Sequence, residues 1–306
     1  MPNLTRPEGA MPEDLLLSRR SALAGAVFGG YALYAFSAQA SPIHTDAAGL
    51  VTETAMLAAP DRMIPAFLAR PEGAGRFPVI IVVSEVFGVH EYIRDICRRL
   101  ARLGYVAIAP DFFIRSGDPS TLTDFGEIRR IVSQASEQQV MDDLAAALTF
   151  LKRARFVERR QIGVTGFCWG GAVTWAACAT FPEIKAGVAW YGRLARPAQG
   201  EFLGGAERRW PVEFAGELKS PVLGLYAGKD QGIPLTDVEA MRQALQSAGK
   251  SPGSQIVVYP QSQHGFHADY RASYDPDAAF DGWMRMRAHF EKAGLKPRPV
   301  SVTPAG

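Results

Sequence analysis

Residues 162–175, IGVTGFCWGGAVTW, place a cysteine between glycines where one apolar run ends and another begins. The first run predicts a buried strand at residues 162–166, and the second predicts a helix at residues 172–181. Cys168 lies in the turn between them, in the pattern G-x-C-x-G. The glycines lack the Cβ atoms that would clash where a strand and a helix pass closely. This order of elements is that of a nucleophile elbow.

Strands and helices alternate on both sides of this turn. The predicted strands are 52–58, 63–69, 77–85, 105–110, 162–166, 186–192, 221–228 and 255–260, and the predicted helices are 91–104, 140–154, 172–181, 236–248 and 278–293. The polar residues 111–136 predict a loop or lid. Repeated β-α-β units predict one α/β domain, with a mostly parallel sheet covered by helices on both faces and active groups at the carboxyl ends of the strands.

The composition narrows the classes of partner. Of the 306 residues, 47% are hydrophobic, which is enough for a sizeable core. The formal net charge is only +2, with 33 basic and 31 acidic residues, so nothing indicates binding to nucleic acid. No Cys or His cluster has the spacing of a metal site, and we expect no metal.

The N-terminus has the features of an export signal. Twin arginines in residues 18–25, SRRSALAG, precede a short apolar core at residues 26–36 and the small-residue stretch Ala38-Gln39-Ala40. The segment resembles a twin-arginine (Tat) signal, with Ala22 in place of the usual large apolar residue. Cleavage after Ala40 would give a periplasmic or otherwise exported protein, with the Tat machinery as a transient partner. An uncleaved signal that anchors the chain in the membrane is the alternative.

We therefore expect four regions. They are a signal at residues 1–40, a linker at 41–50, the α/β domain at 51–294 and a flexible tail at 295–306.

The three cysteines of the chain, Cys97, Cys168 and Cys178, cannot all pair with one another. Cys168 and Cys178 lie along one helical element, about 15 Å apart in rise, which is too far for a disulfide. A thiol redox function is thereby discarded. Cys168 alone still fits either a nucleophile or a structural buried cysteine.

Two further residues follow strands in the order that a catalytic triad needs. Asp230 comes just after the predicted strand 221–228, and His264 comes just after the strand 255–260. Nucleophile, acid and histidine in this chain order, each at a carboxyl strand end, are typical of the α/β-hydrolase arrangement. His267 is a rival for the base and Asp237 is a rival for the acid.

Glu85 ends the apolar strand 77–85, where a carboxylate is costly unless it is partnered or functional. One interpretation is that Glu85 faces the sulfur across adjacent strand ends and governs its protonation. The other is a hydrogen-bonded loop residue.

Several stretches in order resemble the dienelactone hydrolase family of carboxymethylenebutenolidase-like α/β-hydrolases. The resemblance runs from about Thr52 to Phe290. It rests on SEVFGVHEYIRDICRRLA (84–101), GYVAIAPDFF (104–113), GFCWGGAVTW (166–175), AWYGRL (189–194), GKDQGIP (228–234) and HGFHADYRASY (264–274).

The resemblance implies the α/β-hydrolase fold and a triad of Cys168, Asp230 and His264. It also implies that Glu85 is an auxiliary carboxylate near the cysteine, and that the backbone amides of Val86 and Trp169 form the oxyanion hole. No metal or organic cofactor is implied.

The expected activity is hydrolysis of small esters or enol lactones through an acyl-enzyme on Cys168. The substrate anchors depart from the family, because Ala268 stands where dienelactone-specialised members have an arginine. Arg115, Arg193 and Arg271 could supply a substitute, although each also fits a surface arginine. A non-catalytic ligand-binding protein on a hydrolase scaffold is the alternative function.

Overall fold

An eight-stranded sheet forms the centre of the computed structural model, which describes residues 42–197, 208–249 and 253–298. The strands are β1 (Leu50–Ala58), β2 (Met63–Pro71), β3 (Phe77–Val83), β4 (Val106–Pro110), β5 (Val157–Phe167), β6 (Ile184–Trp190), β7 (Val222–Ala227) and β8 (Gln255–Tyr259). Their spatial order is β1-β2-β4-β3-β5-β6-β7-β8. The first two strands pair antiparallel, and β3 to β8 run parallel.

Within the described residues, six α-helices accompany the sheet. They are α1 (Glu91–Arg102), α2 (Phe125–Val132), α3 (Glu137–Arg153), α4 (Trp169–Thr180), α5 (Leu235–Ala248) and α6 (Pro276–Lys292). All seven residues of the central strand β3 are buried. Because successive residues of a strand point to opposite faces, the sheet must be covered on both sides there. The predicted α/β-hydrolase fold is confirmed.

The region predicted as a loop or lid, residues 111–136, is more ordered than expected. It contains a 3-10 turn at Pro119–Thr121 and the helix α2. The Asp124 side chain accepts a hydrogen bond from the Glu127 amide (2.8 Å) and caps α2, while Ile128 and Ile131 are buried. An N-cap residue and two apolar residues in so short a helix are too weak a sequence pattern to predict α2 among polar neighbours.

The packed domain extends past both predicted limits. In the segment predicted as a linker, Ile43 is buried and the Thr45 amide donates to Asp95 Oδ1 (2.5 Å). In the segment predicted as a flexible tail, Leu295 is buried and its carbonyl accepts a hydrogen bond from Tyr105 (3.0 Å). The limits at residues 51 and 294 therefore move outward.

The predicted signal at residues 1–40 lies outside the described residues, as does the end of the predicted tail. None of the described helices combines the length and the apolar character needed to cross a membrane.

The parallel register brings the ends of several strands to one edge of the sheet. Val83 of β3 pairs with Gly166 of β5. Glu85 lies two residues after Val83, and Cys168 lies two residues after Gly166, so the two side chains follow neighbouring strands at matched positions. Neighbouring strands β7 and β8 end just before Asp230 and His264. The predicted site residues therefore share the carboxyl edge of the sheet.

Candidate active site

Cys168 occupies a strained turn between β5 and α4. Its backbone angles are φ 54° and ψ −114°, a region that residues other than glycine rarely adopt. The turn is held because the Cys168 amide donates to the Trp190 carbonyl (3.0 Å) and the Cys168 carbonyl accepts from the Gly171 amide (3.0 Å). The side chain is thus fixed at the N-terminus of α4, where the helix dipole favours negative charge.

The glycines of the motif permit the close approach of α4 to the sheet. A Cβ atom on Gly166 would lie 2.1 Å from the Gly170 carbonyl oxygen, and one on Gly170 would lie 2.3 Å from the Val83 carbonyl oxygen. Both distances are far inside van der Waals contact with rigid backbone. The G-x-C-x-G pattern is therefore a requirement of packing at this turn.

His264 and Asp230 form a buried pair at the same edge. His264 Nδ1 lies 2.7 Å from Asp230 Oδ2. The other carboxylate oxygen of Asp230 accepts hydrogen bonds from the amides of Gly232 (2.8 Å) and Ile233 (3.1 Å). The aspartate is therefore held by its own loop, and it can fix the orientation of the imidazole ring.

The electrostatic environment favours the charged form of His264. Burial alone would lower its pKa, but the Asp230 carboxylate and the Cys168 side chain outweigh burial and raise the pKa of His264 to about 10. The His264 ring interacts with the Cys168 side chain as well as with Asp230. The His264 ring therefore interacts with both an aspartate and a cysteine, a combination typical of sites in which an imidazole takes the proton of a thiol.

Two backbone amides that directly follow predicted site residues are available as donors. Trp169 is the first residue of α4, and Val86 follows Glu85 in the turn after β3. Within the described part of the chain, neither amide donates a hydrogen bond to another protein group. The Trp169 amide, at the N-terminus of α4, suits the stabilisation of a developing oxyanion.

Glu85 lies at the centre of a buried polar cluster. Its side chain is completely buried, Tyr270 donates to its Oε2 (2.5 Å), and Arg271 Nη2 lies 3.1 Å from its Oε1. His90 Nε2 lies 3.7 Å from Oε2. Burial raises the pKa of Glu85, but Arg271, His90 and Tyr270 more than offset it and lower the pKa to about 2. Glu85 is therefore a carboxylate at neutral pH.

The predicted rivals are engaged elsewhere. The His267 ring is buried, its Nδ1 lies 2.7 Å from the Tyr92 hydroxyl, and it stacks on Trp283. Burial lowers the pKa of His267 well below its usual value, so the ring is neutral. Asp237 is half-buried in the first turn of α5, and it is Asp230 that contacts His264.

All three cysteines are free and buried. Burial raises the pKa of Cys178 to about 12 and raises the pKa of Cys97 further. These two thiols are therefore poor nucleophiles.

The three predicted substrate arginines have different surroundings. Arg115 contacts Asp61 (2.6 Å) and Asp143 (2.8 Å), and the structure gives it a role in joining the β1–β2 hairpin to α3 rather than in gripping a substrate. Arg193 is half-buried and interacts with Asp237. Arg271 alone of the three contacts Glu85.

Sequence reasoning missed three residues that contact Glu85 or His264. Tyr270 and His90 contact Glu85, and the Tyr191 ring lies edge-on to His264 with ring centroids 5.1 Å apart. Tyr191 also has a positive φ of 38°, a strained value for an aromatic residue. The position of Tyr191 directly after the apolar strand β6 was the available signal. Nothing in the spacing of Tyr270 and His90 along the sequence indicates that they belong to the site.

Within the described ranges, no group of three or more His, Cys, Asp or Glu side chains is arranged to hold a metal ion.

Fold and site together define an α/β-hydrolase, and comparisons with known proteins refine this class. The sequence matches the "Dienelactone hydrolase family" over residues 64–294. A protein of Methylorubrum extorquens named "Putative carboxymethylenebutenolidase" is 46% identical over 281 residues, which cover 91% of this chain and 94% of the relative. A protein of the same name from Escherichia coli K12 is 45% identical over 235 residues, covering 76% and 84%.

A solved structure agrees with these relatives. The crystal structure of a "Putative Dienelactone Hydrolase" from Klebsiella pneumoniae is 43% identical, with a TM-score of 0.74, and the match covers 79% of this chain and 99% of that chain. The chain belongs to the dienelactone hydrolase family. It is a dienelactone hydrolase-like hydrolase, and its family implies a small lactone or ester as substrate.

Proposed function

We propose that the protein is a cysteine-dependent hydrolase of esters or enol lactones, with Cys168 as nucleophile, His264 as general base and acid, and Asp230 as the residue that orients His264. The observation that carries this proposal is the contact of one buried imidazole with Asp230 (2.7 Å) and with the Cys168 side chain. The free helix-terminal amide beside the sulfur supports it further.

The reaction proceeds in two halves. The Cys168 proton passes to His264 and the sulfur attacks the acyl carbon, while the amides of Val86 and Trp169 hold the oxyanion. Collapse of the tetrahedral species expels the alkoxide or enolate, which takes its proton from His264, and leaves a thioester on Cys168. Water, deprotonated by His264, then attacks the thioester and releases the acid and the thiol.

In this proposal Glu85 is an auxiliary carboxylate that influences the protonation of the sulfur. Support comes from its matched position on the strand next to that of Cys168 and from its ionised state. A carboxylate beside a thiol disfavours the thiolate, so the Arg271, His90 and Tyr270 contacts control how strongly Glu85 acts on the sulfur.

The matched substitutions Cys168→Ala and Cys178→Ala test the proposed function. We expect hydrolysis of p-nitrophenyl acetate to be abolished in the first variant and retained in the second, since both thiols are buried but only Cys168 contacts His264. Equal activity in the two variants would overturn the proposal.

We also propose that the protein is exported by its twin-arginine-like N-terminal segment, with cleavage after Ala40. The motif SRRSALAG, the short apolar core and the A-x-A stretch support this. N-terminal sequencing of the periplasmic fraction is expected to begin at Ser41. Replacement of Arg19 and Arg20 by lysine is expected to retain the protein in the cytoplasm, and unchanged periplasmic recovery would contradict export by this route.

A further inference from the structure

A long loop carries the proposed general base. Residues 260–275, all of which the structure describes, connect β8 to α6 without a helix or a strand, and we call this segment the His264 loop. The Ala268 amide donates to the Gly265 carbonyl (2.9 Å) and the Arg271 amide donates to the Ala268 carbonyl (3.0 Å), which makes two consecutive turns after His264. Because these turns stiffen the loop, a displacement of its middle part is passed on to the imidazole.

Helix α1 provides two side-chain anchors for this loop. The Tyr92 hydroxyl lies 2.7 Å from His267 Nδ1, and Arg99 Nη2 lies 2.6 Å from Asp269 Oδ2. Tyr92 and Arg99 are separated by about two turns of α1, so they lie on the same face of the helix. The His264 loop is therefore docked along one face of α1.

Arg99 joins two buried carboxylates at this face. Its Nε donates to Asp95 Oδ2 (2.6 Å), while its Nη2 donates to Asp269 Oδ2 (2.6 Å), and none of the three side chains is more than 2% exposed. Burial alone would lower the pKa of Arg99, but Asp95 and Asp269 outweigh burial and raise it. Burial raises the pKa of Asp269 to about 6 against the opposing effect of Arg99, so Asp269 is a carboxylate at slightly alkaline pH. Arg99 is therefore an ion-paired bridge between α1 and the His264 loop.

The α1 end of this bridge is held in turn by the N-terminal part of the domain. Asp95 Oδ1 accepts hydrogen bonds from the Thr45 amide (2.5 Å) and from Arg98 Nη2 (3.0 Å). The Thr45 carbonyl accepts a further hydrogen bond from Arg98 Nε (2.6 Å). Because Asp95 is restrained on both oxygens, Arg99 ties the His264 loop to a fixed point of the scaffold.

A buried bridge of this kind is better explained by positioning than by stability. The cost of desolvating its charges offsets much of their mutual attraction, and apolar side chains of similar volume often stabilise a fold as well or better. The directional contacts of one guanidinium with two carboxylates, in contrast, define a single relative position of the segments that they join. The segment joined here, at Asp269, lies only five residues after the proposed base His264.

We propose that Arg99 is a positioning residue of the active site. By joining Asp95 to Asp269 it holds the His264 loop on α1, and the loop in turn holds the imidazole beside the Cys168 side chain. The inference rests on the proposed hydrolase function, in which His264 takes the proton of Cys168, and it adds a residue that acts on this step through the loop.

The rate at which iodoacetamide alkylates Cys168 tests this role, because it depends on how readily His264 takes the thiol proton and on no later step. Peptide mapping by mass spectrometry separates Cys168 from the other two cysteines. In Asp269→Asn, Arg99 keeps Asp95 as a partner but loses its ion pair with the loop. We expect alkylation at slightly alkaline pH to slow by about tenfold, since a small displacement of a catalytic group lowers the rate steeply. Arg99→Lys should show the same loss, because a single ammonium group cannot reproduce both contacts of the guanidinium.

Asp143→Asn is the matched control. The Asp143 side chain is also completely buried, and Arg115 joins it to a second carboxylate, that of Asp61. Asp143 lies on α3 and makes its contacts away from the His264 loop, so alkylation in Asp143→Asn should proceed at the wild-type rate. An equal slowing in Asp143→Asn and Asp269→Asn would show that the loss of any buried ion pair has this effect, and would overturn the inference.

A double-mutant cycle separates positioning from a general loss of structure. If Asp269 acts through His264, Asp269→Asn should have no further effect on alkylation in a His264→Ala background. An equal effect in both backgrounds, or a wild-type rate in Asp269→Asn, would overturn the inference and leave the hydrolase function intact. If circular dichroism shows that Asp269→Asn does not fold, Arg99→Lys takes its place in the cycle. Alkylation of Cys168 that is no faster in the wild type than in His264→Ala would contradict the proposed function and the inference together.

Discussion

His264 Nδ1 lies 2.7 Å from Asp230 Oδ2, although the two residues are 34 positions apart in the chain. Each is brought there by the loop after its own strand, and the Asp230 loop fixes the carboxylate with two backbone amides. The pair is therefore built into the scaffold, and it orients the imidazole toward Cys168.

Substitution of this aspartate is expected to disrupt catalysis without disrupting the loop. In Asp230→Asn the amide cannot stabilise the imidazolium or fix the same tautomer, so kcat for p-nitrophenyl acetate should fall by about 100-fold or more. Steady-state kinetics on purified protein measure the change. Asp237→Asn is the matched control, because Asp237 lies in the first turn of α5, and it should behave like the wild type. A similar loss in both variants, or none in Asp230→Asn, would contradict the assigned acid.

The depressed pKa of Glu85 makes its contribution to stability depend on pH. Its pKa is about 2 in the folded protein against an ordinary value of 4.5, so the unfolded chain binds the proton first as pH falls. The stabilisation is present above about pH 4.5 and is lost as pH falls toward about 2. Glu85→Gln should therefore lower the free energy of unfolding at pH 7 by about 3 kcal/mol. The difference in this free energy between wild type and variant should become smaller as the pH falls from about 4.5 toward about 2.

Urea unfolding at pH 7 and at acid pH measures this effect. Glu217→Gln is the control, because Glu217 pairs with Arg209 at the surface and its removal should change stability little. A difference between wild type and Glu85→Gln that stays constant with pH would show that Glu85 is not held as a carboxylate by Arg271.

Gly170 is expected to tolerate no side chain. A Cβ atom there would lie 2.3 Å from the Val83 carbonyl oxygen, so Gly170→Ala must push α4 away from β3. We expect a loss of about 3 kcal/mol in the free energy of unfolding. Gly216→Ala is the control, since its nearest neighbour would be the Ala248 Cβ at 3.6 Å. Equal stability of the two variants in urea would contradict the close approach at the elbow.

The sequence predicted those features that periodicity and local geometry determine. Apolar runs identified the strands of the sheet, and G-x-C-x-G around Cys168 identified the turn whose glycines prove to be sterically required. Because parallel strands end at one edge, the positions of Asp230 and His264 after their strands were enough to predict that they converge.

The features that were missed depend on how loops fold back in space. His264 and His267 lie three residues apart in one loop. His264 contacts Asp230 and His267 contacts Tyr92 because of the path that this loop takes in space. In the same way, nothing in the spacing of Tyr270 and Arg271 shows that both contact Glu85, 185 positions away from Tyr270. Helix α2 was missed because its short apolar pattern is marginal without the tertiary contacts that stabilise it.

Intact-protein mass spectrometry detects the proposed acyl-enzyme on Cys168 itself. Wild type, Cys168→Ala and His264→Ala are mixed briefly with p-nitrophenyl acetate and quenched in acid, and the modified residue is located by peptide mapping. We expect a single acetyl group on Cys168 in the wild type, none in Cys168→Ala, and no turnover in His264→Ala. An acetyl group that persists in Cys168→Ala, or that maps to Cys97 or Cys178 in the wild type, would contradict a nucleophilic role for Cys168.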